Sequence, residues 1–96
     1  MLLEDLHQQK ATIDAIAQQF GARRIRVFGS VARGEENASS DVDFLVDFPA
    51  GYDLFKQRLP LADRLSNLLG RKVDLIPEHE LNCHIRAVVL SEAVDI

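Results

Sequence analysis

The stretch IRVFGSVARGEENASSDVDFLVDF, residues 25–48, decides the fold of this chain. Its first four residues are mostly apolar and β-branched, which predicts a short strand, Ile25–Phe28, that ends at Gly29. In its last eight residues, Asp41–Phe48, side chains alternate with a period of two, which is typical of a half-buried strand. The residues between them predict one helical turn, Ser30–Arg33, followed by a polar loop. The stretch therefore predicts two strands of a small sheet.

The flanking segments predict helices around this sheet. Apolar residues at helical spacing indicate a helix over Leu2–Phe20 and another over Leu54–Leu69. Pro60 either kinks the second helix or marks the start of a separate one. The remaining predicted elements are a third strand, Lys72–Ile76, stopped by Pro77, a last helix with its apolar residues between Leu81 and Val89, and a terminal strand or tail, Ala93–Ile96. This order predicts one α+β domain, close to α/β, over residues 1–96, with a small mixed sheet of three to four strands covered by helices.

Charge and composition exclude several classes of protein. The 96 residues carry a formal net charge of −4, so the chain lacks the basic excess that direct binding of nucleic acid requires. The only cysteine, Cys83, allows no internal disulfide, and we expect it to be buried or half-buried. No membrane-length apolar run or secretory segment is visible, so we expect a cytoplasmic protein without a membrane partner.

The Gly29-Ser30 pair directly after a strand is the first candidate binding feature. A glycine there lets backbone N–H groups approach an anion, and a serine at the start of a helical turn adds a hydroxyl donor. Taken alone, the pair fits an ordinary strand-to-helix turn better, because Gly-Ser is common in turns. No Gly-Lys-Ser/Thr follows, which excludes a P-loop.

Three aspartates that interrupt apolar strands are the second candidate feature. Asp41 and Asp43 share one face of a strand, about 6.8 Å apart, and could converge on two metal ions separated by about 3.5–4 Å. The alternative is an edge strand whose acidic residues simply face water. Asp74 interrupts the third strand and would complete a carboxylate triad if that strand lies beside the second. Spacing alone leaves the role of Asp74 open.

Together these motifs resemble the signature of the DNA polymerase β-like nucleotidyltransferase superfamily. The matching segments are Gly29–Gly34, Ser39–Val46 and Arg71–Ile76, and the similarity runs over essentially the whole chain. The short length is similar to that of the minimal nucleotidyltransferases, the MntA-type antitoxins. The resemblance implies that Asp41 and Asp43 hold one or two Mg²⁺ ions and that Asp74 completes the second metal site and helps to deprotonate the acceptor. The nucleotide-binding residues that it implies are Gly29, Ser30, Arg33 and Ser40.

The resemblance also implies a reaction and a partner. The chain would transfer AMP from ATP to a hydroxyl, that of a tyrosine, on a HEPN-domain RNase toxin, with which it would form a hetero-oligomer. It would then be the antitoxin of a type VII-like toxin–antitoxin pair. One alternative is an antitoxin that neutralises the toxin by binding alone. Another is nucleotidyl transfer to a small molecule, although the relatives that do so usually carry an additional substrate-binding domain.

Two further groups of residues allow two interpretations each. Arg23, Arg24 and Arg26 either attract ATP or an acidic partner, or form a solvated strand edge. The first helix is mainly core, yet some of Leu2, Leu3 and Leu6 could be exposed and serve an interface.

Overall fold

A four-stranded mixed sheet forms the centre of the computed structural model, which describes residues 2–37 and 39–96. Its strands are β1 Ile25–Phe28, β2 Val42–Val46, β3 Val73–Pro77 and β4 Val94–Asp95, in the order β3-β2-β1-β4. β2 pairs in parallel with β3, and β1 pairs antiparallel with both β2 and β4. The predicted fold class is therefore confirmed, and the terminal segment is a strand. Pro77 does not stop the third strand but is its last residue, paired with Val46.

Helices cover this sheet. They are α1 Leu2–Gln8, α2 Lys10–Gln19, α3 Ser30–Arg33, α4 Leu59–Leu69 and α5 Cys83–Glu92. The predicted single first helix is interrupted at Gln9, whose N–H is shared between the carbonyls of Asp5 and Leu6 at 3.1 Å each. No large apolar side chain lies between Leu6 and Ile13, so core packing does not hold this turn in regular helical geometry.

Pro60 marks the start of a separate helix, the second of the two possibilities left by the sequence. It occupies the first turn of α4, where its missing N–H costs no hydrogen bond. A π-helical turn, Leu54–Arg58, comes directly before α4. The side chain of Asp53 begins this turn by accepting hydrogen bonds from the N–H groups of Phe55 and Lys56.

The sheet has apolar packing on both faces. On the first face Val42, Phe44 and Val46 belong to the main core, which includes α1, α2 and α4. On the second face Leu45, only 1% exposed, packs with Leu81 and Val89. The prediction of a half-buried β2 was therefore wrong for Leu45, because α5 and the segment before it cover part of the second face.

Exposed apolar residues lie away from the predicted interface. Of the three leucines considered for an interface, Leu6 is fully buried, which excludes it, and Leu2 and Leu3 are half-buried against the main core. The large apolar residues that are exposed are Leu54, Phe55, Leu59, Ile85 and Val88. Cys83 is also exposed, at the first position of α5, contrary to the prediction. Within residues 2–37 and 39–96, no helix has both the length and the apolar character needed to cross a membrane.

Candidate active site

Strand pairing brings two of the three candidate aspartates together. In the parallel β2–β3 register Asp43 lies directly opposite Asp74, so both project from the same face of the sheet. Asp43 is half-buried and Asp74 is exposed. The antiparallel register places Phe28 opposite Asp43, and the turn at Gly29 therefore begins beside the Asp43 carboxylate. The arrangement combines residues from three strands at one end of the sheet.

Gly29 is required at its position for two reasons. Its backbone has φ 75° and ψ −151°, a conformation that is essentially limited to glycine. A Cβ atom at this residue would also overlap the carboxylate of Asp43. The two residues are in such close contact that only a glycine allows the turn and the carboxylate to occupy neighbouring positions.

Asp41 lies one residue before β2, at the end of the loop from Gly34, so the prediction that it belongs to the same strand as Asp43 was wrong. Its carboxylate is 4.0 Å from the ammonium group of Lys72, and both side chains are largely exposed. The loop is held by Arg71, whose Nη1 donates to the carbonyl oxygens of Asn37 at 2.9 Å and Ser40 at 3.1 Å. The hydroxyl of Ser40 accepts a hydrogen bond from the N–H of Asn37 at 2.9 Å. Ser40 therefore shapes the loop in this conformation.

The carboxylates affect one another electrostatically. Burial raises the pKa of Asp43 above its usual value, and the negative charges of Asp74 and Asp41 raise it further. Arg33 opposes this shift in the pKa. A cation bound beside these carboxylates would offset the repulsion that raises the pKa of Asp43.

The donor set fits magnesium in its chemistry, because carboxylate oxygens are the protein ligands that Mg²⁺ prefers. The side chains are not yet arranged for it. Within the described parts of the chain, no three His, Cys, Asp or Glu side chains converge closely enough to hold a metal ion. Asp41 in particular is oriented toward Lys72. Binding of a metal would therefore require side-chain rotation, for which the exposed Asp41 and Asp74 have room.

Two hydrogen-bond donors of the turn after β1, the N–H of Gly29 and the guanidinium of Arg33, are occupied by a residue that the sequence did not indicate. The N–H of Gly29 donates to Glu92 Oε1 at 2.9 Å, and Arg33 Nη1 donates to Glu92 Oε1 and Oε2 at 3.2 and 3.1 Å. Arg33 also bonds to Glu35 at 3.1 Å. Gly29, not Ser30, is the cap of α3, and Ser30 is its first residue. The Ser30 hydroxyl makes no hydrogen bond within residues 2–37 and 39–96.

A groove of about 300 Å³ borders Asp74. Its lining residues are Leu54, Arg58, Leu59, Ala62, Val73, Asp74 and Leu75. Arg58 closes one side by donating from Nε to the carbonyl of Leu75 at 3.0 Å. Leu54 and Leu59 belong to the exposed apolar residues, so the groove has an apolar wall that ends at Asp74 on the edge strand. A second groove, of about 180 Å³, contains none of the three aspartates.

The basic residues near β1 are all engaged in ion pairs. Arg23 pairs with Asp47 at 3.1 Å, and Arg24 pairs with Asp95 at 2.8 Å. Arg26 pairs with Glu78 at 2.8 Å. These contacts compensate the three charges within the chain and argue against a surface that attracts ATP. The alternative of a solvated strand edge is wrong as well, because β1 lies between β2 and β4 and the Arg26 side chain is only 12% exposed.

Comparison with known proteins agrees with this fold. The model of the nucleotidyltransferase domain family matches residues 10–96. Protein adenylyltransferase MntA from Thermococcus cleftensis is 44% identical over 79 residues, which are 82% of this chain and 79% of that protein. A relative from Methanocaldococcus jannaschii, assigned as a protein adenylyltransferase, is 33% identical over 92 residues, 96% of this chain and 98% of its own.

Solved structures share the same architecture. One described as a minimal nucleotidyltransferase has a TM-score of 0.85 and 40% identity and covers 98% of this chain and 95% of that one. A crystal structure of a toxin–antitoxin with AMP-PNP has a TM-score of 0.74 at 24% identity, and the match covers 86% of this chain and 68% of the solved chain. This similarity is one of fold. The mixed sheet, with a glycine turn beside an aspartate of the next strand, thus has a nucleotidyltransferase fold. The chain belongs to the nucleotidyltransferase domain family, among the minimal nucleotidyltransferases related to MntA.

Proposed function

We propose that this chain is a magnesium-dependent protein adenylyltransferase that uses ATP in the cytoplasm. Its acceptor is a tyrosine hydroxyl of a HEPN-type RNase toxin, which makes the chain the antitoxin of a type VII-like pair. The observation that carries the proposal is the contact of the Gly29 turn with Asp43, beside Asp74 on the next strand. The 44% identity to a protein adenylyltransferase supports a protein as the acceptor.

In this proposal each site residue has a separate task. Mg²⁺, held by Asp41, Asp43 and Asp74, would neutralise charge on the triphosphate and on the group being transferred. The N–H of Gly29 and the hydroxyl of Ser30 donate hydrogen bonds to the β- and γ-phosphates. Arg33 and Ser40 support this binding, Arg33 by its charge and Ser40 through the shape of the loop before Asp41.

The transfer is a substitution at the α-phosphorus of ATP. The acceptor oxygen forms the new P–O bond, the bond from the α-phosphorus to the bridging oxygen breaks, and pyrophosphate leaves. The proton of the acceptor hydroxyl passes to the Asp74 carboxylate and then to water. Asp74 suits this task because it is exposed at the edge strand, where an acceptor can reach it.

The groove beside Asp74 supports an aromatic acceptor. Its apolar side, Leu54, Leu59 and Ala62, can contact a ring, while the carboxylate of Asp74 accepts a hydrogen bond from a phenolic hydroxyl. The groove is partly open to solvent, so a partner protein would hold the acceptor side chain in place. A shared fold with a toxin–antitoxin that binds AMP-PNP agrees with this interpretation.

The two rival functions predict different uses of the same residues. An antitoxin that acts by binding alone needs neither the strained Gly29 nor adjacent carboxylates that raise the pKa of Asp43. Transfer to a small molecule would favour an enclosed acceptor site, whereas the groove beside Asp74 is open. The first observation favours catalysis over binding alone, and the second favours a protein over a small molecule as the acceptor.

The test is a labelling reaction with the protein encoded by the neighbouring gene, labelled ATP and Mg²⁺. We expect label on that protein, and a loss of at least about 10³-fold in rate for Asp41→Asn/Asp43→Asn. Asp63→Asn is the control, because Asp63 is exposed on α4 and makes no ion pair or hydrogen bond within the described residues. Neutralisation of the toxin without label, equal in wild type and the double variant, would instead support an antitoxin that only binds.

A further inference from the structure

Glu92 occupies two of the groups that the proposed function assigns to the triphosphate, the N–H of Gly29 and the guanidinium of Arg33. It is the last residue of α5, and its carboxylate accepts from the N–H of Gly29 at 2.9 Å. Both carboxylate oxygens also accept from Arg33 Nη1, at 3.2 and 3.1 Å. The Glu92 side chain is only 21% exposed, against 46% for Arg33. The Glu92 carboxylate thus occupies the position at which the proposed function expects a phosphate of the nucleotide.

This carboxylate and a phosphate cannot share the position. A backbone N–H group offers a single hydrogen atom, so the N–H of Gly29 cannot donate fully to two acceptors. Glu92 also acts electrostatically on Asp43, whose pKa it helps to raise, which places its charge next to the proposed metal ligands. A phosphate brought to the same point would be repelled by Glu92.

We propose that Glu92 is an internal competitor of the nucleotide and a determinant of its affinity. The proposal rests on the phosphate-binding role proposed for Gly29 and Arg33. Any anion that binds the turn must first displace the Glu92 carboxylate. Because this displacement costs the same free energy whichever anion arrives, the competitor lowers the affinity of every such anion by the same factor. A triphosphate offsets this cost through further contacts along its length, whereas a single phosphate gains few contacts.

Displacement requires little change of the fold. The backbone after Glu92 is held by the pairing of β4 with β1, Val94 opposite Val27 and Asp95 opposite Arg26. Rotation of the Glu92 side chain about its own bonds releases Gly29 and Arg33 while α5 and β4 remain in place. In the ATP complex Arg33 exchanges one anionic partner for another, so its charge stays compensated.

The direction of the effect separates competition from a structural role. A residue that merely held the turn in shape would weaken ATP binding when removed. Removal of a competitor would instead strengthen ATP binding. We therefore expect Glu92→Gln and Glu92→Ala to bind MgATP about threefold to tenfold more tightly than wild type, as measured by calorimetry, since partly exposed ion pairs have modest strength. Inorganic phosphate should gain by a similar factor, because it displaces the same carboxylate.

Asp63→Asn removes the same charge without contact to the turn and controls for general attraction of ATP to a less acidic protein. Equal gains in Asp63→Asn and Glu92→Gln would overturn the proposal, as would unchanged or weaker ATP binding in both Glu92 variants. A second readout is the Gly29 amide signal in NMR spectra, which should shift on addition of ATP to wild type and, before any addition, in Glu92→Ala. ATP binding by wild type with no gain in the variants overturns this inference alone. No ATP binding by any of the proteins overturns the proposed function as well.

Discussion

Asp43 and Asp74 lie directly opposite each other on the parallel strands β2 and β3. Like charges in directly opposed positions destabilise a sheet, and here burial adds to the cost of ionising Asp43. The site therefore opposes folding, which is common where residues are arranged for a ligand and not for stability. The first prediction follows from this cost.

Asp43→Asn should stabilise the protein at neutral pH by about 0.5–1 kcal/mol, the size expected for a cross-strand pair of like charges. For a domain of this size this is roughly 2–8 °C in Tm. The pKa of Asp43 is raised in the folded protein, so its contribution to stability is fully present below the unfolded pKa and is lost as pH rises through the folded pKa. The gain in Tm should accordingly be small at about pH 4 and larger at neutral pH.

The same thermal melts provide a check with magnesium. If the carboxylates bind it, Mg²⁺ should raise the Tm of wild type and have a smaller effect on Asp43→Asn. A lower Tm for Asp43→Asn at neutral pH would show that the carboxylate stabilises the fold, contrary to this prediction.

Gly29→Ala should abolish nucleotide binding and lower stability by about 2–4 kcal/mol. The new Cβ has to overlap the Asp43 carboxylate, and the backbone conformation is one that alanine avoids. Gly70→Ala is the matched control, since Gly70 also has a positive φ, 65°, but open space around its Cβ position. It should cost only about 1 kcal/mol and leave ATP binding unchanged. Urea unfolding and calorimetry measure both effects, and similar losses in the two variants would contradict the prediction.

Leu59→Asn should impair use of the protein acceptor and not of ATP. Leu59 lines the groove beside Asp74 and is 46% exposed, so its replacement should change stability little. We expect the KM for the acceptor protein to rise about tenfold and the KM for ATP to stay the same. Ile85→Asn is the control, an exposed residue of equal size on α5. A rise in the KM for ATP would instead assign the groove to the adenine base.

Arg71→Ala should loosen the loop before Asp41, because Arg71 holds the carbonyls of Asn37 and Ser40. We expect faster amide hydrogen exchange in the loop and about tenfold weaker binding of MgATP, from the loss of two charge-assisted hydrogen bonds. Arg64→Ala removes an exposed arginine on α4 without a partner in the described residues and should change neither quantity. Unaltered exchange in Arg71→Ala would refute the role assigned to Arg71.

Local pattern predicted much of the fold. Ile25–Phe28, the glycine turn and the start of a helix near Pro60 follow from residue types and spacing over a few positions, because strand period, turn preference and helix start are properties of neighbouring residues. Leu45 was assigned to a solvent-facing side because its burial depends on α5, far along the chain. The exposure of Cys83 and the burial of Leu6 depend in the same way on distant packing.

For the site, the sequence by itself determined which residue types are present and that Asp41 and Asp43 alternate with apolar residues, although Asp41 lies just before β2. Only the tertiary structure decided that β3 lies beside β2 with Asp74 opposite Asp43, since several strand orders would bury the same apolar residues. It alone brought Glu92 to Gly29 and Arg71 to Ser40. Sequence periodicity does not predict such contacts of charged side chains. The partner of each side chain is selected by the packing of elements that are distant along the chain.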